Sequence, residues 1–252
     1  MSKFVPVSRE KHATSRWLRP VGFEHAGAQS AVAIVALELA AAAGSMPLAF
    51  VRRDGGYLLI ALLSYRPNDN LFVDRNGGWL LDCYIPAAFR AHPFRLFRRE
   101  GRDELTLCVD DDSALVGDFE EGERLFQDDG TLAGSVSAVI DFLRQVEQSR
   151  VVTSLGVDAL ASLDLLVPWN LKLREQGEEQ QIADLYRVDE TRLDALSGEQ
   201  LGALRDARAL GIAYGQIISM TRVGVFARLK ALRENASRGD LTFSDLNFDN
   251  LN

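Results

Sequence analysis

The chain has 252 residues, of which 47% are hydrophobic and 25% charged, and its net charge is −8. That is the composition of a folded globular protein, with enough chain for one large domain or two small ones, so disorder is not the default. The acidic balance argues against a dedicated DNA-binding protein, because affinity for phosphate is built from clustered Lys and Arg, and no nucleic-acid partner is expected.

The N-terminal stretch MSKFVPVSREKHATSRW has neither the apolar core nor the small-residue cleavage site of a secretory signal. The two cysteines, Cys83 and Cys108, sit inside apolar runs and form no CxxC pair, which suits a reducing compartment; a cytoplasmic location is expected. The longest apolar run, from Ala31 to Ala43, has 13 residues and is interrupted by Glu38. A membrane-spanning helix needs about 20, so this segment is expected to be a buried or half-buried helix, and no membrane span is expected.

Short runs of large apolar residues follow: PLAFVRR, GYLLIALLS, NLFV, WLLDCYI, FRLFRR and ELTLCVD, separated by Asp, Asn, Gly and Pro. These predict strands. From Ser135 the period changes, and Val136, Val139, Ile140, Leu143 and Val146 share one helical face. Further helices are expected over about 152–166, 189–208 and 211–234, with two late strands near WNLKL and QIADLYRV. The expected fold class is α+β: a mainly antiparallel sheet from the N-terminal half covered by helices, and a helical C-terminal half. No Pro/Gly/Ser-rich linker divides the halves, which favours a single unit over 1–252, with a core at about 20–233 and a polar extension at 234–252.

Charge is uneven. Between Glu100 and Gly130 there are twelve acids and two arginines, a net of −10, so the rest of the chain sums to +2. Arg90, Arg95, Arg98 and Arg99 lie just before that segment, and the two strips are expected to be solvated faces or to pair with one another or across subunits. Searches for GxSxG, HExxH, a P-loop and GxGxxG fail, and no cofactor is called for. His92 in RAHPF is read as a packed ring beside Pro93 rather than a base. Asp110 and Asp112 are the weak candidates for a hard cation, since Mg²⁺ and Ca²⁺ prefer oxygen ligands, but no full ligand loop surrounds them. Asp74 to Gly78 and Asp128 to Gly130 read as turns, because Asp-Gly and Asn-Gly tolerate positive φ. The tail carries Leu241, Phe243, Leu246, Phe248 and Leu251 among acids and asparagines, a pattern that fits either a docking arm or a frayed end.

The densest stretch runs from Asn70 to Phe94. Leu71 to Val73 is expected to pair with Trp79 to Leu81 around a turn at Asp74 to Gly78. Asn70, Asp82, Tyr84 and Arg90 are the polar residues left over, and they could converge at the hairpin's exit. Glu38 joins them as a candidate ligand-binding residue, because a carboxylate in an Ala/Val/Leu segment must find a partner. That partner could instead be an arginine such as Arg52, Arg53 or Arg90.

The run RPNDNLFVDRNGGWLLDCYIPAAFRAHPFRL is followed by LCVDDDSAL, GERLFQDDG, LLVPWNL, LYRVDETRLDALSGEQL and AYGQIISM. In that order and spacing, over roughly residues 20–233, the chain resembles the bacterial SapC family. It departs at Met46-Pro47-Leu48, where the family usually has an aromatic residue before Pro-Ile, and in the tail after about Glu234. The resemblance implies an association with a bacterial surface layer or with nutrient uptake alongside TonB-dependent receptors. It also carries a peptide-transport permease label, which does not fit a chain lacking several 20-residue apolar segments. It supplies no catalytic residues. Two readings follow. One is a non-enzymatic accessory or binding protein that recognises a protein partner or a small ligand, such as a peptide or amino acid, as a monomer or homodimer. The other is an enzyme acting on an amino-acid or peptide substrate beside halogenase-like and cupin-like oxygenase partners, with a pocket joining Glu38, Asp82, Tyr84 and Arg90.

Overall fold

A computed structural model describes residues 3–98, 104–175 and 178–236. Arg99, the first residues of the acidic segment and the apolar tail from Leu241 to Leu251 lie outside the described residues.

The chain begins with β1 (Phe4–Pro6), α1 (Arg9–His12) and β2 (Arg16–Trp17), then β3 (Ala31–Ala33) and α2 (Leu39–Ser45). The expected Ala-rich helix over 31–43 is therefore divided. Its first residues pair in extended form with a later strand, and Val35 stays extended. Glu38 then folds back, its Oε2 accepting from the Val35 N–H at 3.1 Å, and helix starts only there. A carboxylate that caps its own turn fixes the boundary that Ala propensity leaves open.

The hairpin of β4 (Leu48–Arg53) and β5 (Gly56–Leu62) follows as expected. Asp54 and Gly55 both take positive φ, 51° and 82°, the turn whose twist matches antiparallel strands. The hairpin expected around Asp74 to Gly78 forms only at its tip. Asp74 Oδ1 accepts from the Asn76 and Gly78 N–H groups, and Val73 bridges Trp79. No strand continues from there, because Leu81 and Asp82 adopt φ of 64° and 46° in a one-turn 3₁₀ segment. Trp79 instead stacks on Phe72 at 5.5 Å and meets Phe23 and Phe89 edge-on or tilted. Most of the dense stretch is aromatic core.

Next come α3 (Ala87–Arg90), β6 (Phe94–Arg98), β7 (Leu105–Asp110), β8 (Val116–Gly117), β9 (Glu123–Arg124) and α4 (Gly134–Ser162). At 29 residues α4 runs about 43 Å. It absorbs two expected helices and stops short of the predicted end at 166, because Asp164 turns left-handed at φ 53°. The remainder is β10 (Leu166–Pro168), β11 (Leu171–Glu175), β12 (Glu178–Ile182), β13 (Leu185–Val188), α5 (Glu190–Asp194), α6 (Gly198–Asp206), α7 (Ala209–Ser219) and α8 (Val225–Ala236). The helix expected at 189–208 breaks at Ser197, whose hydroxyl accepts from Gln200 N–H while Gln200 caps Ser197 in return.

The fold is α+β. Its strands are antiparallel as expected and, among the described residues, form four sheets, ordered β10-β13-β4-β5-β3, β1-β7-β6, β8-β2-β9 and β11-β12. Among the described residues two apolar cores form. The larger contains Phe50, Phe72, Phe89 and Phe226; the smaller contains Trp17, Phe94, Val109 and Leu125. Helix α4 joins them, with Val136 and Leu143 in the smaller core and Val157 and Leu160 in the larger. The segment Ala209–Asn235 is long and apolar enough to cross a membrane by length and composition, which the sequence reading did not anticipate. Here Ile212, Ala213, Phe226 and Leu229 are buried in the larger core. Gln216 ties Val188 to Leu48, and Ser219 accepts from Leu48 N–H, so one face of the segment is tied to the five-stranded sheet, while Tyr214 and Ile218 on it are exposed.

Candidate functional site

Three of the five candidate ligand-binding residues meet. Glu38 is 3% exposed. Its Oε1 accepts from the Ala87 N–H at 2.6 Å and from the Tyr84 hydroxyl at 3.1 Å. Arg90 donates to that same hydroxyl at 2.8 Å and lies over the rings of Tyr84 and Phe142. Burial and the Glu38 charge push the Tyr84 phenol up to about 12, so it remains a donor at neutral pH. The partner of Glu38 is thus two backbone amides and a tyrosine; the arginine acts through the tyrosine. Asn70 is buried elsewhere, donating to Ala26 C=O and accepting from Phe72 N–H. Asp82 is exposed, and no hydrogen bond or ion pair joins it to the other four among the described residues. The four-residue enzyme pocket does not form as expected.

A cleft of about 430 Å³ lies where three separate chain segments meet. One wall is the loop Pro20 to His25, held by Phe23 N–H donating to Gly77 C=O at 2.7 Å. A second is His92, between α3 and β6. The third is the turn after β7, with Asp110, Asp112 and Ser113, anchored by Asp110 N–H on Pro93 C=O at 2.9 Å. His25 and His92 stack with ring centroids 4.0 Å apart and planes 9° apart. Burial lowers the pKa of both; His92 falls to about 4, with the His25 ring next in effect. Both imidazoles are neutral at pH 7, which is what lets them stack.

The cleft's polar groups are incompletely partnered. His25 Nε2 is buried and without a hydrogen-bond partner among the described residues. Ser113 Oγ lies 3.2 Å from His92 Nε2 and accepts from Leu115 N–H. Asp110 is 4% exposed, and its carboxylate accepts from Asp112 N–H at a long 3.3 Å. Glu24 adds a further carboxylate, which rests against Gly22 and Gly77; a Cβ on Gly77 would overlap it. With three acids and two neutral rings, the lining attracts cations and hydrogen-bond donors. Parallel stacked rings point their nitrogen lone pairs along parallel planes, so they do not converge on one ion. Among the described residues no group of three or more His, Cys, Asp or Glu is placed to hold a metal, and Asp110 and Asp112 face this cleft without forming such a set.

His92 is packed as expected, but on His25 rather than merely beside Pro93. His25, Glu24 and Ser113 were not singled out, because nothing in the spacing of residues 24, 92 and 113 announces their convergence.

The family model described as SapC matches residues 7–225, most of the chain. No curated protein and no solved structure matches.

Proposed function

From the premise that this chain belongs to the SapC family, we propose that it is an accessory binding protein whose His25–His92 cleft takes the ammonium end of an amino acid or short peptide. The observation that carries this reading is Asp110, a carboxylate almost wholly removed from water that keeps one long backbone hydrogen bond on a cleft wall. An incoming N–H⁺ group would give that carboxylate a charge-assisted hydrogen bond. The unpartnered His25 nitrogen and the Ser113 hydroxyl supply further polar contacts, while Pro20, Val21 and Leu115 offer apolar ones. A volume of about 430 Å³ falls in the range of small-ligand sites and suits an amino acid or a few residues of peptide. Such a carrier would act in the cytoplasm, beside the surface-layer or nutrient-uptake systems that the family resemblance implies.

The test is calorimetric titration with a panel of tripeptides and their N-acetylated forms. Free amines bind and acetylated ones do not, and Asp110→Asn removes the difference. Equal affinity for both forms, or no binding across the panel, overturns the reading.

A further inference from the structure

A second cavity, of about 230 Å³, lies between α4 and the β3–β5 edge of the five-stranded sheet, and it shares no residue with the cleft above. We infer that it is a binding site for a medium-chain monocarboxylate, with the aliphatic tail inside and the carboxylate at Arg150.

The walls are branched aliphatic side chains, chiefly Ile34, Leu58, Leu59, Val146 and Val157. Protein interiors are close-packed, and their few voids seldom exceed a water molecule. This space equals the liquid volume of about eight waters, which walls of that kind cannot hydrogen-bond. It opens to solvent at a mouth where Ala33 and Ala88 are exposed and, with Ala87, too small to close it. The molecule that completes the packing is therefore apolar in its body. An apolar cavity of about 150 Å³ accommodates benzene, so on the same scale this one takes about nine carbons.

The rim fixes the head group. Arg150 lines the cavity and stays half exposed; its Nε and Nη2 each donate to Glu147 at 2.6 Å. Its Nη1 makes no hydrogen bond among the described residues. Tyr57 also lines the cavity, and its hydroxyl is held by Arg52 at 3.1 Å. Arg150 Nη1, the guanidinium nitrogen left free by Glu147, offers a carboxylate a charge-assisted hydrogen bond that an ammonium cannot accept. The Glu38 carboxylate faces the same space with its oxygens already held by Val35, Ala87 and Tyr84. It repels a second carboxylate from that part of the cavity, so the head stays at Arg150 and the tail goes in.

The test is calorimetry of the full chain with octanoate and with octanol, on the wild type, Arg150→Ala and Ala88→Phe, each variant checked for folding by circular dichroism. Octanoate is expected to bind once per chain. Arg150→Ala should weaken it about tenfold while leaving octanol unchanged, because only the anion uses the guanidinium. Ala88→Phe, at an exposed position on the cavity's edge, should remove binding of both. If that variant does not fold, the octanoate–octanol contrast in Arg150→Ala decides alone. Absence of saturable octanoate binding, equal weakening of octanol by Arg150→Ala, or octanoate binding that survives in a folded Ala88→Phe variant overturns the inference.

Discussion

The His25–His92 stack makes stability depend on pH in a direction opposite to that of a salt-bridged histidine. His92 titrates at about 4 in the folded chain, against 6.5 for an ordinary imidazole. Between those values the unfolded chain carries a proton that the folded chain does not, so the stack contributes its full stability above pH 6.5 and loses it as pH falls toward 4. At about 1.36 kcal/mol per pH unit the gap is worth at most about 3.4 kcal/mol. The ring is only half-buried, and solvent screening reduces a realistic figure to about 2 kcal/mol. His25, also lowered by burial, adds in the same sense. The perturbation is His92→Phe, which keeps an aromatic ring against His25 and removes the titration. Urea unfolding at pH 7, 5.5 and 4.5 would measure it, the carboxylates contributing alike to both proteins. The variant should lose about 2 kcal/mol less than the wild type between the extremes. Parallel pH profiles would refute the reasoning, since they would mean that His92 takes up its proton alike in the folded and unfolded chains.

Two further outcomes test the frame around the sites. Glu38→Ala strands the Val35 and Ala87 amides and the Tyr84 hydroxyl. At about 1–3 kcal/mol for each buried unsatisfied donor, it should destabilise the chain by about 3–5 kcal/mol in urea. Glu38→Gln should cost about 2 kcal/mol, because its amide N–H₂ must face one of those donors; a loss below about 1 kcal/mol for Glu38→Ala would show that the carboxylate is not the hub described. Gly77 sits at φ +80° against Glu24. Gly77→Ala should cost about 1–2 kcal/mol from backbone strain and displace the Glu24 carboxylate. Tripeptide binding to the cleft should weaken with it; unchanged binding would place Glu24 outside the ligand's reach.

What the sequence disclosed divides along physical lines. The β4–β5 hairpin was readable because an Asp-Gly turn and two apolar runs lie within fifteen residues, and the N-terminal half of α4 because its apolar face repeats at helical spacing. Glu38 stood out because a lone carboxylate in an apolar run has to be paired, and that argument needs no partner to be known. The identity of its partners was out of reach: backbone amides such as that of Ala87 have no letter in a sequence. The hairpin after Val73 failed for a related reason, since strand propensity in WLLDCYI was outweighed by the ring contacts of Trp79 with Phe23, Phe72 and Phe89, which come from three separate segments.

The two cavities extend that argument to function. Catalytic motifs that can be read from sequence are local, because one loop or one helical turn places the reacting groups at fixed spacing. Neither cavity here is of that kind. The cleft assembles residues 24, 92, 110 and 113, and the apolar pocket sets α4 against strands that precede it by about ninety residues. Helix α4 is the element that makes both possible, since it is rooted in the smaller core at Val136 and in the larger at Val157, and so fixes β7 and its cleft-forming turn relative to the five-stranded sheet. Thr153 and Ser149 of the same helix cap the Ala36 and Leu37 amides, which seats the turn that presents Glu38. A site positioned by one long helix across two cores leaves no short signature, and the missing motif is therefore no guide to whether this chain binds a ligand.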